Sequence, residues 1–346
     1  MLKADYKYHK LEFKQPSGTS RGVLKTKDSW FISIWDESNP SVKGIGECSL
    51  IPKLSYDDND TIEAKIKEVC ENIEDYFYWL NGGLTEYPAL QFAVETALLD
   101  LQKGGKHLLF PSPFTEGNYG IKINGLLWMG SYDFMEEQLH SKTNSGFKCI
   151  KMKVGAINVE KERELLKKIR QNFPEHTIRV DANGAFTPTD VMEHLDFFAE
   201  LGIHSIEQPL KQGQWKEMAK LCKNTPLPIA LDEELIGIFP TIEKIALLET
   251  IKPQYIILKP SLLGGFKASK EWIDLAEERN IGWWVTSALE SNIGLNTIAQ
   301  WTATLNTENS YQGLGTGSLY TNNINSPLEI RGEELWYNPK KEWECF

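Results

Sequence analysis

The sequence has no stretch that could cross a membrane and no excess of basic residues. None of its apolar runs approaches the roughly 20 residues that a membrane-spanning helix requires. The N-terminal stretch, MLKADYKYHKLEFKQ, is too polar for a signal peptide. With 37 Lys and Arg against 48 Asp and Glu, the formal net charge is -11. We therefore expect neither a nucleic acid nor an anionic membrane as a partner.

Cysteine is scarce and forms no recognisable framework. The five cysteines are odd in number, scattered, and include no C-x-x-C pair: Cys48, Cys70, Cys149, Cys222 and Cys345. This pattern disfavours a disulfide scaffold and a zinc site. It favours a reducing, cytoplasmic location, because disulfides are rare there. The remaining composition, 41% hydrophobic and 25% charged, is typical of a globular protein.

From residue 120 onward, short strand-like stretches recur at even intervals. There are eight of them: 121–125, 147–155, 177–184, 204–210, 228–235, 255–261, 282–290 and 311–317. Most are separated by a segment with the apolar spacing of an amphipathic helix, for example 159–173 and 189–202. Eight strand–helix units over about 200 residues predict an α/β fold with a closed, TIM-type parallel (β/α) barrel. An open doubly wound sheet is the alternative.

The flanks of this repeat have a different pattern. The N-terminal part has alternating strands at 6–15 and 29–37, a Gly/Ser-containing turn at 16–22, and helical stretches at 60–80 and 88–103. We therefore expect an α+β unit over residues 1–115, followed by the barrel over residues 116–321. The strand-like tail at 326–339 fits no ninth barrel repeat.

Carboxylates follow three consecutive predicted strands. Asp181, Glu207 and Asp232 are 26 and 25 residues apart, so each lies one repeat after the last. Barrel enzymes carry their chemistry at these strand ends, where the three side chains would meet. Converging carboxylates repel each other unless a cation lies among them. A hard ion that leaves room for water and substrate indicates Mg²⁺ rather than a closed Ca²⁺ cage, with Mn²⁺ as the other candidate.

Lysines are expected at the same strand ends, on two sides of the three carboxylates. The second strand, CIKMKVG, ends with Lys151 and Lys153 on one face, and Lys259 follows Asp232 by 27 residues. An ordinary lysine is a poor base at neutral pH. A second ammonium group and a divalent cation in a dry site favour the neutral amine. Lys151 would thus help Lys153 to accept a proton. Base, metal and opposing cation together predict removal of the proton α to a carboxylate.

These motifs, in this order, resemble the enolase superfamily and within it the muconate-lactonizing subgroup. The matching stretches are KMK (151–153), DAN (181–183), EQP (207–209), DEE (232–234) and LKP (258–260). The resemblance covers nearly the whole chain. It implies an enolase-type barrel, in which seven helices can close eight strands. It also implies that residues 1–115, completed by the tail 322–346, form an α+β capping domain.

The resemblance also implies roles for the site residues. Asp181, Glu207 and Asp232 would bind Mg²⁺, and Lys153 and Lys259 would flank a small carboxylate substrate. Five longer stretches resemble those of the superfamily members that act in menaquinone biosynthesis and dehydrate a hydroxylated, succinyl-bearing cyclohexadiene carboxylate. They are 124–130, 179–186, 231–237, 258–266 and 283–301. By analogy, Lys153 would remove the α-proton and return it to the departing hydroxyl in a syn elimination. Lys259 would stay protonated.

Further residues are candidates for contacts with the substrate. Arg179 could bind the succinyl carboxylate, or it could instead pair with Asp181 or a neighbouring acid. Asn183 belongs to the DAN motif, and Ser287 and the turn around Gly315 could supply hydroxyl and N–H donors. Glu290 is either a further contact or a structural partner near Lys259. The segments 17–22 and 49–55 are expected to close over the substrate.

Three alternatives compete with this interpretation. A dipeptide epimerase or N-succinylamino acid racemase on the same scaffold would use both lysines as bases. An epimerase needs an acid for the substrate's ammonium group, and the eighth strand contains none. A sugar-acid dehydratase would use a histidine, but none of the six histidines falls at a predicted strand end. A binding protein on a decayed barrel would have lost some of the five motifs. The oligomeric state does not follow from the sequence.

Overall fold

The computed structural model describes residues 1–19, 22–128, 130–155 and 158–344, with the backbone alone for Gly18 and Thr19. Cys345 and the centre of the predicted turn at 16–22 lie outside the described residues. No helix within the described ranges combines the length and apolarity needed to cross a bilayer.

The chain begins with an antiparallel sheet in the order β1-β2-β3, here called the N-terminal sheet. Its strands are β1 (Leu2–Thr19), β2 (Gly22–Asp36) and β3 (Lys43–Ser49). Both predicted strands are longer than expected, because β1 stays paired with β2 as far as Thr19 and Gly22. The prediction of a turn over the whole of 16–22 was therefore wrong. A register shift between Glu12 and Ser17 accommodates this Gly/Ser-rich stretch within the ladder.

Three helices follow the N-terminal sheet: α1 (Ile62–Glu71), α2 (Tyr76–Tyr78) and α3 (Pro88–Gln102). The helix predicted over 60–80 is interrupted after Glu71, where Asn72 leaves helical geometry (φ -122°, ψ 37°). Helix α3 packs directly on β3. A Cβ atom at Gly44 or Gly46 would come within 2.0 Å of the carbonyl oxygen of Ala97 or Ala93. Glycine is required at both positions because the helix backbone lies against the strand.

The second half contains a seven-stranded parallel sheet in which chain order equals spatial order. After the short β4 (Ile121–Lys122), its strands are β5 (Gly125–Leu127), β6 (Cys149–Lys153), β7 (Thr177–Asp181), β8 (Ser205–Glu207), β9 (Ile229–Leu231), β10 (Tyr255–Leu258) and β11 (Gly282–Val285). The predicted α/β alternation is confirmed for these strands.

Helices connect the parallel strands throughout. They are α4 (Tyr132–Asn144), α5 (Val159–Asn172), α6 (Val191–Glu200), α7 (Trp215–Asn224), α8 (Thr241–Ile251), α9 (Pro260–Leu263), α10 (Phe266–Glu277) and α11 (Asn292–Thr302). Their apolar faces and the strands share one continuous core. The carboxyl ends of all the strands consequently lie at one edge of the sheet.

The predicted eighth strand contacts both edges of this sheet. Gln312 bridges to Ile123 and Gly313 to Thr286, each in the parallel sense. Asn124 N donates to Gln312 O at 3.0 Å, and Gly313 N donates to Val285 O at 2.8 Å. The segment around residue 312 therefore hydrogen-bonds to the first and the last strands of the curled sheet.

The tail forms a hairpin of β12 (Leu328–Arg331) and β13 (Glu334–Tyr337), which pairs with β4 rather than with the N-terminal sheet. Residues next to the hairpin do reach that sheet: Ile324 packs with Phe31 and Ile45, and Trp343 lies against the same cluster. The tail thus contacts both halves of the molecule. The division of the chain at residues 115 and 321 remains a proposal.

Candidate active site

The buried strand β6 carries two lysines on one face. All five of its residues are buried, and Lys151 and Lys153 each keep only 9% of their surface exposed. In the parallel register Lys153 lies beside Asp181, and Asp181 beside Glu207. The sheet therefore sets a lysine and two carboxylates in one row at its carboxyl edge. The lysine face of CIKMKVG points into a protein cavity rather than into bulk water.

Each of the three predicted lysines contacts a predicted carboxylate. Lys151 Nζ lies 3.0 Å from Asp181 Oδ2 and forms a short contact with Glu207 Oε2. Lys153 Nζ donates to Asp181 Oδ2 at 3.0 Å and also to the side-chain oxygen of Asn183. Across the site, Lys259 donates to Asp232. The structure thus brings the predicted lysines and acids together.

The neighbouring carboxylates favour the charged forms of two of these lysines. Burial opposes the charge of Lys151, but the carboxylates of Asp181 and Glu207 outweigh it and raise its pKa above the ordinary value. Burial likewise opposes the charge of Lys259, and Asp232 and Glu207 raise its pKa. Lys151 and Lys259 are therefore held as fixed positive charges on either side of the site.

The two neighbouring acids respond in opposite directions. Burial alone would raise the pKa of Asp181, but the ammonium groups of Lys151 and Lys153 outweigh it and lower that pKa. Burial and the charge of Asp181 together raise the pKa of Glu207. The charge of Glu207 is therefore less compensated than that of Asp181, and Glu207 gains more from an additional cation.

The donor set fits a hard divalent cation. Asp181, Glu207 and Asp232 are at most 3% exposed. Glu207 Oε1 is buried and has no hydrogen-bond partner. Within the described residues, no three acidic, histidine or cysteine side chains already form a metal-binding group, because lysine ammonium groups lie against the carboxylates. A cation bound beside Glu207 would satisfy the unpartnered Oε1.

The site opens into a cavity of about 620 Å³ between the N-terminal sheet and the carboxyl edge of the parallel sheet. Lys153 and Lys259 line it from strands that are four positions apart in the sheet. Asn183, Ser287 and Gly315, which are predicted substrate contacts, also line the cavity. From the predicted closing segment 49–55, residues 51–54 line it as well.

Two predicted substrate contacts lie elsewhere. Arg179 is buried outside the cavity lining, donates to Tyr311 O at 2.9 Å, and stacks over the Trp284 ring at 4.1 Å. This disfavours Arg179 as the succinyl anchor, and these contacts do not include the acid partner that was the other candidate. Arg179 precedes Asp181 by two positions on β7, so its side chain lies farther from the carboxyl edge, in the space that the curled sheet surrounds.

Glu290 is a structural partner rather than a cavity residue. It is fully buried and accepts from Ser287 Oγ at 2.7 Å, from Ala288 N at 3.1 Å and from Ser261. It does not line the cavity. The alternative in which Glu290 is structural fits these contacts, although its partners are hydroxyl groups and an amide rather than Lys259.

Several cations of the cavity were not predicted from the sequence. Lys25 and Lys53 line it from the N-terminal part and Lys142 from helix α4, so six lysines line the cavity together with one acid, Asp181. Alternation along β2 could have identified Lys25, because it shares a strand face with the buried Lys27. No local pattern marks Lys142, whose position depends on how α4 packs.

None of the six histidines, all of which are described, lines the cavity. His194 stacks on Phe186, and His204 contacts its neighbour Ser205. A histidine base, as a sugar-acid dehydratase would need, is therefore absent from the described lining.

Known proteins are similar to this chain in sequence and in fold. The model of the enolase C-terminal domain-like family matches residues 134–337. The o-succinylbenzoate synthase of Desulfotalea psychrophila is 46% identical over 364 aligned residues, covering 96% of this chain and 98% of the relative. The N-succinylamino acid racemase of Thermus thermophilus is 34% identical over 149 residues, covering 43% of this chain and 38% of the relative.

The solved structures agree with the sequence relatives. The crystal structure of MenC from Desulfotalea psychrophila superimposes with a TM-score of 0.86 at 43% identity, covering 97% of this chain and 99% of that chain. Sequence and fold thus match over nearly the full length of both proteins. The chain belongs to the enolase superfamily, in the family of the o-succinylbenzoate synthases.

Proposed function

We propose that this chain is a lyase that dehydrates 2-succinyl-6-hydroxy-2,4-cyclohexadiene-1-carboxylate to 2-succinylbenzoate, a step of menaquinone biosynthesis. The observation that carries the proposal is that Lys153 and Lys259 line one cavity from opposite strands, beside the buried acids Asp181 and Glu207. The near full-length similarity to an o-succinylbenzoate synthase supports the substrate.

In the proposed reaction Lys153 serves both proton transfers. Its neutral amine takes the proton from the carbon that bears the ring carboxylate, and the electron pair of that C–H bond becomes part of the new double bond. The ammonium of Lys153 then gives a proton to the departing hydroxyl, which leaves as water from the same face. Aromatisation of the ring drives this second step.

Lys259 stays protonated in this scheme and faces the developing negative charge from the opposite side. Its contact with Asp232 supports that role, because the carboxylate favours the ammonium form. Asp181, Glu207 and Asp232 would hold Mg²⁺, or alternatively Mn²⁺, which when bound supplies positive charge beside the substrate carboxylate. Lys151 keeps a fixed charge next to Lys153.

The proposal includes a closed eight-stranded barrel with residues 1–115 as a capping domain. The hydrogen bonds of Gln312 and Gly313 to both edges of the sheet support closure. Contacts of β2 and of residues 51–54 with the cavity support the capping role. We also propose a reducing, cytoplasmic location, which the four described cysteines support, since all are buried free thiols.

N-succinylamino acid racemisation is the second candidate. It is favoured by the partial similarity to the Thermus thermophilus racemase and by the same excess of lysines, which suits any substrate with two carboxylates. The lining gives less support to a dipeptide. The ammonium group of a dipeptide needs an acid, and the single acid in the described lining, Asp181, is already paired with two lysines.

The test is turnover of the purified protein with Mg²⁺ and the cyclohexadiene carboxylate, followed by formation of the aromatic product. We expect rapid turnover by the wild type and none above background by Lys153→Ala. Exchange of the α-proton of N-succinylamino acids in D₂O, measured on the same samples, separates the two candidates. Exchange without aromatic product would replace the synthase with the racemase, and neither signal would refute both.

A further inference from the structure

A fully buried lysine of the N-terminal sheet contacts the loop that follows β11. Lys27 is 1% exposed, and its Nζ lies 2.8 Å from Ala288 O, 3.0 Å from Leu289 O and 2.6 Å from Ser49 Oγ. The three oxygens match the three N–H donors of an ammonium group. This lysine takes no part in the proposed proton transfers, so its burial needs another explanation.

The acceptors of Lys27 belong to the wall of the cavity. Ser287, Ala288 and Leu289 all line it, and they form part of the β11–α11 loop, residues 286–291. Two consecutive carbonyl groups can converge on one cation only where the chain turns sharply. Leu289 is at φ 63°, in the left-handed region that a branched side chain rarely adopts. The ammonium of Lys27 therefore lies where it stabilises a strained turn.

The same turn positions other groups of the cavity. Leu289 N donates to Ser287 Oγ at 3.0 Å, and Thr316 Oγ1 donates to Ser287 Oγ at 2.9 Å. A second hydrogen bond to the Leu289 carbonyl comes from Tyr320 OH at 2.6 Å. Movement of the 288–289 carbonyls would consequently shift the hydroxyl of Ser287 and the side chains beside it.

Burying this charge among uncharged acceptors is costly. Burial lowers the pKa of Lys27, while the charges of Glu290 and Glu47, which it does not contact directly, act in the opposite direction. A buried ammonium group with no acid in contact normally destabilises a fold unless its hydrogen bonds are complete. The bonds of Lys27 are complete only when the β11–α11 loop has the shape described here.

We infer that Lys27 is a positioning residue, which ties the N-terminal sheet to the β11–α11 loop and so fixes the wall of the cavity against which the substrate binds. The kinetic part of this inference rests on the proposed function, whereas its structural part does not. Because Lys27 acts through the loop and touches no reacting group, its loss should weaken substrate binding more than it slows the chemical steps.

The test compares hydrogen exchange and kinetics of Lys27→Met with those of the wild type. Methionine keeps much of the side-chain volume and removes every donor. We expect at least 10-fold faster amide exchange confined to peptides that cover 286–291. We also expect KM to rise at least 10-fold while kcat falls less than 5-fold. Lys27→Arg, which restores charge and donors, should recover part of both losses.

Lys244→Met is the matched control. Lys244 is also buried, at 2% exposed, but it contacts Glu271 and the Trp272 ring on the helical side and does not line the cavity. It should leave the exchange of 286–291 and KM unchanged. Equal exchange in Lys27→Met and wild type would overturn the inference, as would a uniform increase like that of a general loss of stability.

Two further measurements keep the outcome decisive. If Lys27→Met does not fold, Tyr320→Phe removes the other hydrogen bond to Leu289 O without altering a charge. We expect about 3-fold faster exchange in the same peptides, and wild-type exchange there would count against the inference. If the wild type forms no aromatic product, the proposed function fails, while the exchange data still test the tie between Lys27 and the loop.

Discussion

The carboxyl edge of the parallel sheet and the contact between the N-terminal sheet and the β11–α11 loop both bury lysines, but they satisfy them differently. At the edge, Lys151 and Lys259 contact carboxylates. At the contact, Lys27 is held by a hydroxyl and two carbonyls. Carboxylates can exchange an ammonium group for a metal ion, whereas uncharged acceptors in a dry contact cannot easily change partner. The edge is therefore suited to chemistry and the contact to fixed geometry.

The strongest test of this comparison uses two lysines at the carboxyl edge of the parallel sheet. If Lys153 is the single base and Lys259 only a charge, arginine should replace them unequally, because arginine keeps the charge but does not release its proton. We expect Lys153→Arg to lower kcat by about 10³- to 10⁴-fold, the upper part of the range of general-base catalysis. Lys259→Arg should lower it by only about 10- to 100-fold, since one stabilising donor is misplaced rather than lost.

The measurement is steady-state dehydration, with circular dichroism of each variant as the check on folding. Equal losses in the two variants would mean that both lysines transfer protons, as a two-base racemase requires. A larger loss in Lys259→Arg would assign the base to the other side of the cavity.

Removal of one carboxylate tests whether the acids of the edge bind a cation. Glu207→Gln keeps the shape of the side chain and removes the charge beside the unpartnered Oε1. We expect Mg²⁺ to bind at least ~10-fold more weakly, as seen by calorimetric titration, because even changes around metal ligands cost this much. Chelation should abolish wild-type activity, and added Mg²⁺ should restore it.

Glu234→Gln is the matched control for this titration. Glu234 is also buried, but its oxygens accept from Gln208 Nε2 at 3.0 Å and from Gly213 N at 2.7 Å. We expect Mg²⁺ affinity to stay within about 3-fold of wild type, since these contacts of Glu234 involve none of the three carboxylates proposed as ligands. Equal losses in the two variants would remove Glu207 from the metal site.

The comparison also explains what the sequence could reveal. Lys151, Asp181, Glu207, Asp232 and Lys259 could be predicted because each lies at or near the carboxyl end of a strand and the repeat spaces the strands evenly. A parallel sheet turns that spacing into proximity. The Lys27 contact has no such regularity: Lys27 and Leu289 are 262 residues apart, and Lys27 lies in the N-terminal sheet whereas Leu289 lies in the β11–α11 loop.

Two interpretations were wrong or weakened for physical reasons. Arg179 shares a strand face with Asp181, but at its position this face contacts Trp284 rather than the cavity. Strand alternation gives the face and not the depth. The turn predicted over the whole of 16–22 was too long, because Gly and Ser fit an irregular ladder as well as a turn.

A third prediction concerns how much the contact between the N-terminal sheet and the β11–α11 loop contributes to the stability of the fold. Glu47 of β3 is fully buried and accepts from Ser291 N at 2.9 Å, Gly294 N at 2.9 Å and Ser29 Oγ at 3.0 Å. Glu47→Gln replaces one acceptor oxygen by a donor facing N–H groups. We expect a loss of about 1.5–3 kcal/mol in the free energy of unfolding, the range for hydrogen bonds to charged groups.

Urea unfolding measures this loss, with the exposed Glu86→Gln as control. The control should change the free energy by less than about 0.5 kcal/mol, as surface substitutions usually do. A Glu47→Gln protein as stable as the control would show that this contact contributes nothing to the fold, contrary to its burial.

The smallest expected effect concerns pH and the helix that supports the N-terminal sheet. Asp57 is fully buried beneath the start of α3, where Oδ2 accepts from Ala89 N at 2.9 Å. Burial raises the pKa of Asp57 to about 7, although hydrogen bonds from backbone N–H groups act in the opposite direction. The native state then keeps a proton that the unfolded chain releases near pH 4. The free energy of unfolding should therefore fall as pH rises from about 4 to about 7, by up to about 1.4 kcal/mol per unit.

Asp57→Asn removes this titration while keeping an oxygen for the helix. We expect its unfolding free energy to fall less than that of the wild type between pH 5 and pH 7, with the remaining slope partly due to Glu95, whose pKa burial also raises to about 7. Urea titrations at several pH values, with the exposed Asp60→Asn as control, measure the difference. If Asp57→Asn and wild type lose stability in parallel, Asp57 is ionised in the native state throughout this range. The N-terminal region would then tolerate a buried, unpaired carboxylate, whereas the edge of the parallel sheet neutralises its own carboxylates with lysines.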